Sequence, residues 1–125
     1  MAPAVLVVDD EVAICEGLAA FLEDEGMRVH TAHSGEEALS LLATDLPVQV
    51  CIIDLRLPGM NGTEAIVEIQ RRAPDVRFVI HTGSAPDAVL RELGRVGLQA
   101  TPIFKKPVCD LTEIAHIVRT LSRSA

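Results

Sequence analysis

The sequence predicts an α/β fold in which a five-stranded parallel sheet carries helices on both faces. Two observations predict it. Short β-branched runs recur five times, near 4–8, 27–32, 48–53, 76–81 and 102–104, and segments with helical spacing of apolar residues separate them. A regular strand–helix alternation is the signature of parallel pairing, and right-handed crossovers then bring every strand's C-terminal end to one edge. At 125 residues, nearly half of them apolar, the chain suits one domain, taken as 1–125, with a real core.

The elements follow in order. The first helix, 11–25, carries Ile14, Leu18, Phe21 and Leu22 on one stripe, and Gly26 stops it. The second, 35–44, carries Ala38, Leu41 and Leu42 behind Ser34-x-x-Glu37. The third, 62–73, carries Ala65, Ile66 and Ile69 behind Asn61-x-x-Glu64. The fourth, 86–96, opens at Pro86 and carries Val89, Leu90 and Leu93. The last, 110–122, carries Ile114, Ile117, Val118 and Leu121 behind Asp110-x-x-Glu113. Each of these caps pairs a side-chain acceptor with an acid three residues on. Pro47, Pro74 and Pro102 precede or open strands. The segment 94–101, with two glycines, leaves the end of the fourth helix unplaced.

Composition narrows the function. Three Phe, no Trp and no Tyr leave little to stack on a base, sugar or flavin. Eighteen acids against eleven bases give a net charge of −7, with no basic stripe for direct nucleic-acid binding. The cluster Glu23-Asp24-Glu25 reads as a solvated helix end. Three cysteines without CxxC spacing argue against a disulfide framework, and Cys51 reads as a small core residue. No leader-like or membrane-length apolar stretch occurs, so the expected setting is reduced and cytoplasmic, with no membrane contact.

The chemistry collects where the strands end. Val5-Leu6-Val7-Val8 runs into Asp9 and Asp10, and Val50-Cys51-Ile52-Ile53 into Asp54. Phe78-Val79-Ile80-His81 ends in Thr82, and Ile103-Phe104 in Lys105-Lys106-Pro107. Ligands of such sheets bind outside these ends, at the topological switch point. Asp9 and Asp10 alone would read as a helix cap. With Asp54, Thr82 and Lys106 at the same edge they make a site for a dication and a phosphoryl group. Oxygen ligands suit Mg²⁺, and three close carboxylates favour a bound cation. Asp54 is the candidate nucleophile, giving an aspartyl phosphate, with Lys106 and the Thr82 hydroxyl to hold phosphoryl oxygens. The proline and two glycines of Leu57-Pro58-Gly59-Met60-Asn61-Gly62 turn the following loop sharply back toward the site. The four histidines, 30, 33, 81 and 116, show no metal spacing and read as scattered surface or edge residues, with His81 the one placed to touch the site.

Val7-Val8-Asp9-Asp10-Glu11, Asp54 through Gly62, His81-Thr82-Gly83-Ser84 and Lys106-Pro107, in that order, resemble the response-regulator receiver domain of bacterial two-component signalling. The resemblance covers essentially the whole chain. It implies the CheY-like, flavodoxin-like (βα)₅ fold with strand order 2-1-3-4-5. It implies that Asp54 accepts a phosphoryl group from a sensor histidine kinase or histidine phosphotransfer protein. Asp9, Asp10, Asp54 and the Arg56 backbone carbonyl would bind Mg²⁺. Thr82 would swing toward the phosphoryl group, Lys106 would pair with it, and Arg56 and Ser84 would tune its hydrolysis. The face formed by the fourth helix, fifth strand and fifth helix would then engage a downstream protein or a second copy. Three departures stand out: Ile103 where an aromatic is common, with Phe104 one residue later, His81 at a usually apolar position, and the atypical 94–101 segment.

Rival functions fit less well. A phosphohydrolase with an Asp nucleophile would carry a second acid where Arg56 stands. A flavin binder would need a hydroxyl-rich loop after the first strand. A receiver-like domain that regulates by protein binding without phosphorylation is the remaining alternative.

Overall fold

In a computed structural model of the chain, the described residues are 2–84, 86–98 and 101–123. They form β1 (Ala4–Val8), α1 (Val12–Asp24), β2 (Arg28–Ala32), α2 (Gly35–Leu42), β3 (Val50–Ile53), α3 (Gly62–Arg72), β4 (Arg77–Thr82), α4 (Pro86–Arg95), β5 (Ile103–Lys105) and α5 (Thr112–Arg123). All strand pairs are parallel, in the order β2-β1-β3-β4-β5. The predicted fold class and strand order are the observed ones.

Strand alternation divides the core in two. Leu6, Val8, Cys51, Ile53, Phe78 and Ile80 pack with α2, α3 and α4. Val5, Val7, Val50, Ile52 and Val79 pack with α1 and α5. β1 and β3 are buried on both faces, which is why they read as continuous apolar runs.

The caps are mostly as predicted. Asn61 and Glu64 make a complete capping box. Ser34 Oγ accepts the Glu37 N–H at 3.0 Å, although Glu37 reaches the His33 amide instead of returning to Ser34. The Asp110 side chain accepts from the Thr112 N–H and its carbonyl from the Glu113 N–H, and α5 begins at Thr112, two residues later than predicted. Gly26, at φ +87, ends α1.

Several expectations need correction. On α1 the buried stripe is Cys15, Leu18, Ala19 and Leu22, while Ile14 is exposed and Phe21 half-buried. The stripe is phased one residue from the predicted one, because a buried cysteine acts as a small hydrophobe. On α2, Leu39 is buried and Leu41 and Leu42 are half-buried. On α4, Val89 and Leu93 are buried but Leu90 is 51% exposed. α4 ends at Arg95 and Gly97 turns at φ +77, while Gln99 and Ala100 of the unplaced 94–101 segment lie outside the described residues. His81 is a core residue at 5% exposure, not a surface one, because β4 lies inside the sheet.

Candidate functional site

The site forms where β1 gives way to neighbours on either side. The chain leaves β1 for β2 on one flank and reaches β3 on the other, so the β1–β3 edge is the switch point. The Asp54 N–H donates to the Val8 carbonyl at 3.1 Å, and the Asp9 N–H to the Ala32 carbonyl at 3.0 Å. The Lys106 N–H donates to the Thr82 carbonyl at 2.9 Å. Sheet-like bonding thus extends one residue past each strand and fixes where these side chains start.

Lys106 is the hub. Its Nζ lies 2.7 Å from Asp9 Oδ2, 2.8 Å from Asp54 Oδ2 and 2.9 Å from Glu11 Oε1. Its side chain is 9% exposed, and those of Asp9 and Asp54 less still. Burial pulls the ammonium's pKa down, but the hydrogen bonds to Asp54, Asp9 and Glu11 outweigh burial and hold it above the ordinary lysine range. It stays charged.

Asp54 is held on both oxygens. Oδ1 accepts from the Thr82 hydroxyl at 2.7 Å and from the Arg56 N–H at 3.0 Å, and Oδ2 faces Lys106. The Thr82 hydroxyl thus points at Asp54. The Arg56 side chain is exposed, and its Nε donates to Ser84 Oγ at 2.8 Å, bridging the loops after β3 and β4. Ser84 is half-buried.

Gly62 explains why the loop returns here. A Cβ at Gly62 would collide with the Asp54 carbonyl oxygen and stand 2.5 Å from Leu55 Cα. The first turn of α3 therefore rests directly on the Asp54 backbone, which only glycine allows.

Of the predicted site residues, Asp9, Asp54, Thr82 and Lys106 come together. Asp10 is exposed, and it lines a cleft with Glu11, Asp54, Arg56 and Gly83. Glu11, named from the sequence only within the motif Val7-Val8-Asp9-Asp10-Glu11 and given no role there, joins the cluster. Carboxylate oxygens of Asp9, Glu11 and Asp54 lie within 4.8 Å of one another. Its place after Asp9 was the available signal: Glu11 has extended backbone as the N-cap residue of α1, and its N–H returns to Asp9 Oδ1 at 3.0 Å. Oxygen donors of this kind, with no soft ligand among them, could hold a hard dication such as Mg²⁺.

The register settles the aromatic near the fifth strand. Ile103 pairs with Ile80 and packs on the α2–α3–α4 side, whereas Phe104 pairs with His81 and packs on the α1–α5 side. Phe104 therefore cannot stand in for an aromatic at 103. His81 lines an apolar groove beside the site that shares Glu11 and Lys106 with it, and burial, then the Lys106 charge, lower the imidazole pKa.

Comparison with known proteins agrees with this arrangement. The family model described as the response regulator receiver domain matches residues 5–119. The response regulator SaeR of Staphylococcus aureus is 31% identical over 118 residues, covering 94% of this chain and 50% of that protein. The chain thus spans about half the length of the curated relatives it matches. A crystal structure of an adenylate cyclase from Rhodopirellula baltica superposes with TM-score 0.85 at 28% identity, over 98% of this chain and 89% of that one. The chemotaxis response regulator CheY4 of Vibrio cholerae does so with TM-score 0.82 at 26% identity, over 97% and 99%.

Proposed function

The chain belongs to the response regulator receiver family of two-component signalling, a phosphoaccepting signalling module and not an enzyme in the ordinary sense, and on that premise we propose that Asp54 is its phosphoryl acceptor. The observation that carries this reading is the hold on Asp54: a threonine hydroxyl and a backbone amide on one oxygen, a lysine ammonium on the other. Oδ1 already accepts two hydrogen bonds and Oδ2 one, so Oδ2 keeps a lone pair for phosphorus.

The family implies partnership with a histidine kinase. In our reading a phosphohistidine, on that kinase or on a phosphotransfer protein, supplies the group. The Asp54 oxygen forms the new P–O bond as the P–N bond breaks, and the departing imidazole nitrogen keeps the electron pair. Lys106 neutralises one phosphoryl oxygen, and Thr82 with nearby amides takes another. Asp9, Asp10, Asp54 and the Arg56 carbonyl would hold Mg²⁺, which would offset the charge of the carboxylates and the incoming group. The apolar groove lined by Ile14, Leu18, His81, Val108 and Leu111 offers footing for the donor protein next to Asp54.

The same reading treats 1–125 as one receiver domain in the cytoplasm. Among the described residues no helix is long and apolar enough to cross a membrane. The α4–β5–α5 face, where Leu90 is half exposed, would carry the signal to a downstream protein or a second copy.

Acetyl phosphate with Mg²⁺ tests the reading. An acid-stable, base-labile adduct on the peptide containing Asp54, absent from Asp54→Ala, is expected. No adduct from acetyl phosphate or from a kinase would refute it and favour regulation by protein binding alone.

A further inference from the structure

Lys106 has three N–H donors, and all three are taken. Its partners are unequal. The Asp9 and Asp54 side chains are 3% and 5% exposed, and that of Glu11 is 56% exposed. A buried carboxylate stripped of its partner cannot turn to water, whereas Glu11 can. Glu11 also borders the cleft with Asp10, Asp54, Arg56 and Gly83, where a group on Asp54 would project. A phosphoryl group brings about two negative charges to Asp54 in place of one. Glu11 is then a like charge within a few ångströms, competing for the same ammonium.

We propose that Glu11 is a positioning residue that holds Lys106 on the two buried carboxylates in the resting site and opposes the phosphoryl group, so that it weakens the engagement of Lys106 with modified Asp54. The proposal rests on Asp54 as acceptor. It differs from a role for Glu11 in holding the metal, which the proximity of the three acids also allows. The two roles have opposite consequences. Lost repulsion from one charge at about 5 Å, largely screened by water, corresponds to about a fourfold gain in affinity for the phosphoryl group.

The test uses beryllofluoride, a tetrahedral stand-in for a phosphoryl group, with Mg²⁺, and isothermal titration calorimetry on wild type, Glu11→Gln and Glu11→Ala. Mg²⁺ affinity is measured first for each protein, and beryllofluoride is titrated at saturating Mg²⁺. Both variants are expected to bind beryllofluoride about fourfold more tightly than wild type. The ¹⁵N shift of Lys106 Nζ is expected to move in both variants before beryllofluoride is added, as the 2.9 Å contact is lost, whereas a merely structural role for Glu11 would not tighten beryllofluoride binding. Equal or weaker beryllofluoride binding by the variants overturns the proposal, and weaker binding together with a large loss of Mg²⁺ affinity assigns Glu11 to the metal. Wild type that takes up neither beryllofluoride nor acetyl phosphate refutes Asp54 as acceptor instead.

Discussion

Replacing Lys106 by Met keeps the length of the side chain and removes its charge. Asp9 and Asp54, each at most 5% exposed on the side chain, would then face each other without a cation. Breaking a buried ion pair by removing one partner costs about 3–5 kcal/mol. The lower end applies here, because part of the repulsion is relieved if one acid protonates, and the exposed Glu11 contributes little. A loss of about 3 kcal/mol is a large share of the roughly 5–15 kcal/mol that holds a domain of this size together. It corresponds to a fall in Tm of about 10 °C. Far-UV circular dichroism during urea and thermal melts suits a chain with no Trp or Tyr. In EDTA the variant should unfold at lower urea with an unchanged slope. Mg²⁺ should then stabilise the variant more than wild type, since in wild type the ammonium competes for the same acids, and about 2.7 kcal/mol is recoverable at a hundredfold excess over Kd. A variant that matches wild type in EDTA would show that the three contacts on Lys106 contribute nothing to folding, and the electrostatic account of the site would fail.

Gly62→Ala should cost about 3 kcal/mol or prevent folding, because the obstructing atoms are backbone and cannot give way; a stabilised variant in the same melts would contradict the close approach. Asn61→Ala should cost about 1 kcal/mol and Asn61→Ser much less, and equal Tm values for the two would remove the capping box from the account of α3. His81→Leu should be at least as stable as wild type at pH 7, since the residue is 5% exposed and borders an apolar groove. The histidine pKa is lowered from 6.5 by burial, so the unfolded chain binds a proton that the folded chain refuses. Stability due to this group is present above pH 6.5 and is lost as pH falls through the lowered folded value. Melts between pH 7 and 5 should therefore be flatter for His81→Leu, and parallel curves would exclude His81 as a source of the slope.

Much of this was legible because burial on both faces writes a parallel strand as an unbroken apolar run. Val5–Val8 and Val50–Ile53 could hardly be anything else, and the first polar residue after each run marks the sheet's edge. Asp9 and Asp54 were found that way, whereas Thr82 and Lys106 lie one residue further on, behind His81 and Lys105, and Pro107 marks which lysine. What escaped depended on which way a side chain faces. Ile14 and Cys15 fit a helical stripe almost equally well, and only packing against β1 decides between them. His81 has a polar side chain, but a middle strand covers both of its faces. Glu11 sits between two more conspicuous acids and the first turn of α1, and the bend at Asp10 sends its carboxylate to Lys106. Ile103 and Phe104 differ by one position in sequence, yet strand alternation puts them on opposite sides of the sheet.

The three-residue β5 is the sheet's outermost strand on its side and, among the described residues, pairs only with β4. Its second mooring is Lys106, which ties it across β4 to the ends of β3 and β1. One mooring is a backbone ladder that ignores charge, and the other is a set of charged hydrogen bonds. A change in charge at the β1–β3 edge would therefore act on Lys106, beside a strand two places away. Amide exchange in β5 is where a slackening of that second mooring would show first.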